Sequence, residues 1–308
     1  MNGITAGFIV IGSVIGVGYL VGTSGVLGPT ATHVLSRAAF FIATPALLFS
    51  TLARADIAAV FSANLLVTAV TSILVCLLYV PVGMLLRRPA GETAVGAMAS
   101  GYVNAGNLGL PIASYALGSA TAVAPVLLFQ LAVLTPVFTT ILDVMAERTN
   151  GARPPLLRTL TAPLRNPIAI ATGAGLLVAG LRLVPPEPLM APVLLIADLA
   201  VPAMLLAFGV SLRGAARPGA GENAPLLTAV VLLKNVVHPL LALLVGVLLG
   251  LTGHELLVVV VCAALPTAQN VFGYAVRFDQ GVVLGRDAAL ATTVLSVPVL
   301  FAAVLLLS

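Results

Sequence analysis

The residues best suited to chemistry in this 308-residue chain lie in two polar interruptions of apolar sequence. The first reads GYVNAGNLGLPIASYALG, residues 101–118, and the second ALPTAQNVFGYAVRF, residues 264–278. Gly and Pro disfavour continuous helix, and Asn prefers caps and turns. Each stretch therefore predicts a helix that breaks. A break at membrane depth frees backbone N–H and C=O groups that are costly in lipid, so they must line a protein cavity or hold a ligand. A half-helix N-terminus offers free N–H donors and partial positive charge, which suit a carboxylate. A half-helix C-terminus suits a cation. Asn104, Asn107, Gln269 and Asn270 add neutral donors and acceptors. Kinking by Gly and Pro would account for one such segment; two at matching places favour a binding site.

Ionisable groups within apolar runs come next, because charge inside a membrane is expensive and usually functional. Asp198 falls about 15 residues, or roughly 22 Å, from the inner end of its span. Lys234 falls about ten residues, or roughly 15 Å, from the inner end of its own. His238 follows Lys234 by one helical turn on the same face. Asp198, Lys234 and His238 read as a proton- or substrate-coupling cluster, or as a structural ion pair that fixes helix packing. Three scattered His and no Cys–His spacing give no metal site. Cys76 and Cys262 lie in apolar runs and read as small hydrophobes. No cofactor is expected, no nucleotide-binding loop is present, and no Ser–His or paired-Asp arrangement suggests an enzyme.

The elements that must position these residues follow from composition. Hydrophobic residues make up 60% of the chain and charged residues 8%. So few charges cannot coat a soluble globule, so the apolar surface must face lipid; a nucleic-acid binder and a disulfide scaffold are excluded. The fold class is an all-α polytopic membrane protein. Ten apolar segments approach the roughly 20 residues a spanning helix needs. They are 4–22, 31–53, 57–86, 93–117, 121–146, 166–184, 188–212, 224–250, 254–276 and 283–307. The first has no basic residue before it and reads as a retained helix, not a signal peptide. Placing the N-terminus outside puts ten arginines in cytoplasmic loops: 87, 88, 148, 153, 158, 165, 213, 217, 277 and 286. Only Arg54 and Arg182 fall in outside loops. That bias predicts a multi-pass protein of the cell membrane with both termini outside the cytoplasm.

The halves resemble each other. Pro45 and Pro202 lie 157 residues apart, Pro81 and Pro239 158, and Pro136 and Pro298 162, each pair in similar surroundings. A near-constant offset marks a duplication. Residues 1–150 form the first five-helix repeat, 151–165 a cytoplasmic linker, and 166–308 the second repeat. Five spans is an odd number, so the repeats are inverted, a common transporter architecture, and the broken spans 4 and 9 hold corresponding places. The Gly12–Gly16 and Gly18–Gly22 pairs in the first span favour close helix packing, within the chain or in a homodimer.

At the runs NAGNLGLP from Asn104, LPTAQN from Leu265, TPALLF from Thr44, NPIAIATGAGLL from Asn166 and VPAMLLAFGVSL from Val201, the sequence resembles the auxin efflux carrier family of the bile/arsenite/riboflavin transporter group. The resemblance covers essentially the whole chain. It implies that spans 4 and 9 cross at the midplane and that a scaffold and a transport domain move against each other. It implies a small organic anion as substrate: auxin in plants, malate or malonate in bacterial members. The residues it carries over to the crossover are Asn104, Asn107, Gly109, Pro111, Pro266, Gln269 and Asn270. The third span has no charged residue between Asn64 and Arg87, where relatives could place a coupling device. The expected function is a secondary transporter of a small organic anion such as a dicarboxylate or an auxin-like acid. Alternatives are a sodium-coupled bile-acid-type symporter, or a channel or sensor on the same fold. The partners expected are the substrate, H+ or Na+, and the lipid bilayer.

Overall fold

The computed structural model describes residues 2–54, 63–109, 112–113, 117–118, 120–149, 167–183, 186–213, 218–219 and 223–307. Among these the regular structure is helical, with one isolated β-bridge and no strand. The helices are α1 (Asn2–Ser24), α2 (Ala31–Ala53), α3 (Ala63–Leu85), α4 (Ala90–Gly101), α5 (Ala124–Arg148), α6 (Pro167–Gly180), α7 (Glu187–Ser211), α8 (Ala224–Leu248), α9 (Gly253–Ala264), α10 (Gln269–Phe278) and α11 (Val282–Leu307). Six of them, α2, α3, α5, α7, α8 and α11, are long and apolar enough to cross a bilayer. Leucines stand outward, with Leu85 and Leu306 each 82% exposed. An apolar surface of this kind fits lipid and not water. The chain is a multi-pass membrane protein. The linker 151–165 lies outside the described residues.

Proline shapes three of the long helices. A proline ring collides with the carbonyl four residues back and cannot donate to it. For Pro45, Pro136 and Pro239 those carbonyls belong to Phe41, Ala132 and Asn235. Each is the centre of a π turn: Ala39–Ala43 in α2, Gln130–Leu134 in α5 and Leu233–Val237 in α8. The wider turn keeps the helix running while leaving carbonyls that need other partners. In α5 the Thr172 hydroxyl of α6 donates to one of them, Leu131 O, at 3.3 Å.

The helices sort into two groups. α1 packs along α7, α6 along α2, and α7 against α2. In the other group α3 packs on α4, α8 on α9, and α11 on α9, α10 and α4. The groups meet where Phe208 of α7 packs edge-on against Phe272 of α10, ring centroids 5.5 Å apart. Arg277 of α10 also lies over the Phe41 ring of α2 at 4.5 Å.

Close approach of α1 and α7 depends on missing side chains. A Cβ on Gly18 would sit 2.6 Å from Leu206 O, and one on Gly209 would meet the backbone of Ile15, Gly18 and Tyr19. Gly22 faces Val210, whereas Gly12 and Gly16 meet nothing within 4 Å. The Gly18–Gly22 pair is therefore used inside the chain. Gly209→Leu should separate the two helices at a cost of about 1–3 kcal/mol or more of overpacking. We expect a lower detergent melting temperature for it and none of that loss for Gly12→Leu; equal melting of both variants would contradict the contact.

Candidate functional site

The two interruptions do break. α4 ends at Gly101, and Tyr102 turns extended at φ −90°, ψ 108°. α9 ends at Ala264, with Leu265 at φ −58°, ψ 144°. The freed segments run antiparallel across each other, bridged at Val103 and Thr267. Asn104 N–H donates to Pro266 O at 2.8 Å, and Ala268 N–H donates to Tyr102 O at 3.2 Å. Two peptides exposed by helix breaks thus satisfy each other, as membrane burial requires.

Polar side chains complete the crossing. Gln130, at the start of the π turn in α5, grips the Val103 residue from both sides: Val103 N–H donates to its Oε1 at 2.6 Å, and its Nε2 donates to Val103 O at 3.0 Å. Opposite, Thr267 N–H donates to Thr292 Oγ1 of α11 at 3.0 Å. The Thr267 hydroxyl donates to Ala99 O, in the last turn of α4, at 2.7 Å. The Asn104 amide donates to Gln269 Oε1 at 2.7 Å. All of these side chains are buried.

Beside the crossing lies a cavity of about 250 Å³. Leu47 and Thr51 of α2 and Val201 of α7 line one side; Asn104, Gln130 and Asn270 line the other. It therefore sits between the two helix groups. Asn270, the second residue of α10, is half-buried, and its side chain makes no hydrogen bond to the described residues. Its side-chain amide is free to meet a ligand at the first turn of α10, where Val271 N–H already donates to Ala268 O at 3.1 Å. A carboxylate here would find N–H donors and the positive end of a helix dipole.

The expected site residues divide by task. Asn104, Pro266 and Gln269 tie the crossing together. Asn270 faces the cavity, which Asn104 also lines. Gly109 donates its N–H to Asn104 O at 2.9 Å and packs against Leu265 and Val123, where a Cβ would stand 3.0 and 3.1 Å away. The Asn107 side chain and Pro111 lie outside the described residues. Gln130 and Thr292 were not among the residues expected from sequence. Gln130 is the one polar side chain in the run VLLFQLAVL, and that isolation was the available signal.

Of the three ionisable groups, Lys234 and His238 meet and Asp198 stands apart. Lys234 Nζ lies 2.7 Å from His238 Nδ1 and donates to Ala263 O at 2.9 Å, with both side chains fully or nearly fully buried. Asp198 caps the first segment of α7, Glu187–Ala197, which a turn at 198–199 separates from Ala200–Ser211, and it is exposed beside Leu195 and Leu199. It forms no ion pair with Lys234, because Lys234 points inward to α9 while Asp198 lies on the outer side of α7. Cys76 and Cys262 are free and buried.

A family model described as "Membrane transport protein" matches residues 6–304. A protein of Rhizobium meliloti (strain 1021) named "Putative malonate transporter" is 32% identical over 264 residues, covering 83% of this chain and 81% of that protein. Both agree with a transporter and not an enzyme. The broken, crossing helices and the match over nearly the whole chain place it together with the runs that resemble auxin efflux carriers: the chain belongs to the membrane transport protein family, the auxin efflux carriers.

Proposed function

We propose that this protein is a secondary transporter of a small dicarboxylate of malonate's size, bound at the crossing of the two broken helices. The observation that carries this reading is the cavity beside the crossing, which combines the free Asn270 amide and the start of α10 with walls from both helix groups. A site shared by two groups closes when they approach and opens when they part, so rocking one against the other exchanges access around a fixed centre. The similar Rhizobium protein, named for malonate, supports the substrate class.

The reading includes ten spans in two inverted repeats, residues 1–150 and 166–308, joined by the linker 151–165, with both termini outside the cytoplasm. Support comes from the crossing itself. Gln130 and Thr292, each gripping one crossing residue, lie 162 residues apart, the offset of Pro136 and Pro298. Asn107, Pro111 and Gly109 belong to the same crossover on sequence grounds.

Purified protein in liposomes loaded with unlabelled malonate is expected to take up labelled malonate by counterflow. Labelled succinate and indole acetate, tested in parallel, should enter more slowly. No counterflow with any of the three would overturn the reading.

A further inference from the structure

Lys234 is the chain's sole lysine, and its side chain has no exposed surface. It sits near the middle of α8, within the π turn that Pro239 forces. Its ammonium donates to Ala263 O, in the last turn of α9 just before the break. In carriers with broken helices, half-helix C-termini coordinate the coupling cation. Here a protein ammonium takes that place and leaves the carbonyl engaged.

The neighbours make its charge conditional. The helices packed against this turn are α3, α4, α9 and α11. Their titratable residues are Cys76 and Tyr79 on α3, Glu92 on α4, His254, Glu255 and Cys262 on α9, and Arg286 and Asp287 on α11. Glu92, His254 and Glu255 occupy first turns, and Asp287 is held by Arg286 and Gly219 N–H. Among the described residues Lys234 makes no ion pair. Cys76, on the facing helix α3, is a buried free thiol. The short Nζ–Nδ1 contact lets one proton be shared, whereas charging both groups would set two cations side by side in a dry interior. The single charge is supported by the Ala263 carbonyl and the negative end of α9. That carbonyl lies two residues before Leu265, where α9 breaks, so it responds to rearrangement of the crossing.

We propose that Lys234 and His238 form a proton-exchange site whose ammonium occupies the cation position at the end of α9, so that the carrier couples to protons and binds no sodium there. The coupling rests on the transporter reading above; the proton exchange does not. One proton enters from one aqueous side onto the Nζ–Nδ1 pair and adds one positive charge. That charge favours an anion in the cavity, reached through Leu265 to Asn270. When the two helix groups rock and the cavity opens to the other side, the proton leaves to water there. By linkage, the anion favours the proton as much as the proton favours the anion.

The sole lysine makes a direct test possible. Full-length protein carrying 13Cε,15Nζ-lysine gives a single side-chain resonance. Its shift should follow pH, identically in NaCl and KCl, and His238→Gln should change that dependence. A resonance that stays that of a fixed ammonium, or one that responds to NaCl, would overturn the proposal. In liposomes with labelled malonate, a pH gradient should drive accumulation and a sodium gradient should not. In Lys234→Gln, and in His238→Gln should the first fail to fold, accumulation relative to counterflow should fall at least about tenfold. Sodium-driven accumulation, or undiminished pH drive in the variants, would also overturn it. Absence of counterflow in the wild type would count against the transporter reading, while the lysine resonance still decides the proton site.

Discussion

Asn270→Ala is expected to slow malonate transport at least tenfold while leaving the melting temperature of the carrier at the wild-type value. The asymmetry follows from where its bonds go. Asn104 and Gln269 spend their amides on each other, at 2.7 Å, so removing either loosens the crossing. Asn270 lines the cavity and holds no partner among the described residues. Deleting its amide leaves nothing in the protein unsatisfied. A hydrogen bond to a charged group contributes about 1.5–3 kcal/mol, on the order of 10- to 100-fold in rate at low substrate. Asn107→Ala belongs with it on sequence grounds. Initial uptake rates in proteoliposomes, compared at equal reconstituted protein, give the answer. Normal rates in both variants would move the substrate elsewhere.

The largest loss of stability is expected from Gln130→Met. Methionine keeps the volume of glutamine and removes both of its bonds to Val103. The Val103 N–H would then have no protein partner, and its carbonyl would lose the Gln130 donor and keep only Ala105 N–H. A buried unsatisfied N–H costs about 1–3 kcal/mol, and the lost second bond to the carbonyl adds about 0.5–1.5 kcal/mol. Thr292→Val orphans only the Thr267 N–H and should cost less, about 1–3 kcal/mol. Thermal unfolding in detergent should rank wild type above Thr292→Val and Thr292→Val above Gln130→Met. Transport should fall in the same order, because the crossing that holds Asn270 loosens. A Gln130→Met protein that melts like wild type would show that the crossing does not depend on this amide.

Much of the site was legible in the residues. The breaks at Gly101 and Ala264 lie where Gly, Asn and Pro interrupt apolar runs, because backbone preferences act locally. The π turns before Pro45, Pro136 and Pro239 are each centred on the carbonyl the ring displaces, but Pro81 and Pro298 sit in uninterrupted α-helix, so proline alone did not mark them. The Lys234–His238 contact follows from their four-residue spacing.

Other features came only from tertiary structure. An isolated Gln130 among leucines signals importance without naming a partner, and that partner proved to be a peptide 27 residues away. Depth along the helices made Asp198 and Lys234 plausible partners, but rotation about the helix axes separates them. Gly18 and Gly209 meet, whereas Gly12 and Gly16 face open space, although the two sequence pairs look alike.

The sequence by itself determined that the chain lives in a membrane, where its helices break, and which polar groups must find partners. These are matters of composition and of backbone chemistry within a few residues. Tertiary structure alone decided which faces meet, which amides hold the crossing and which one stays free for a ligand. The physical reason is the solvent. In water a helix announces its buried face by amphipathic patterning. In lipid the outside is as apolar as the inside, so leucine on either face carries the same signal. Only packing of the assembled helices distinguishes a residue that ties the structure from one that waits in the cavity.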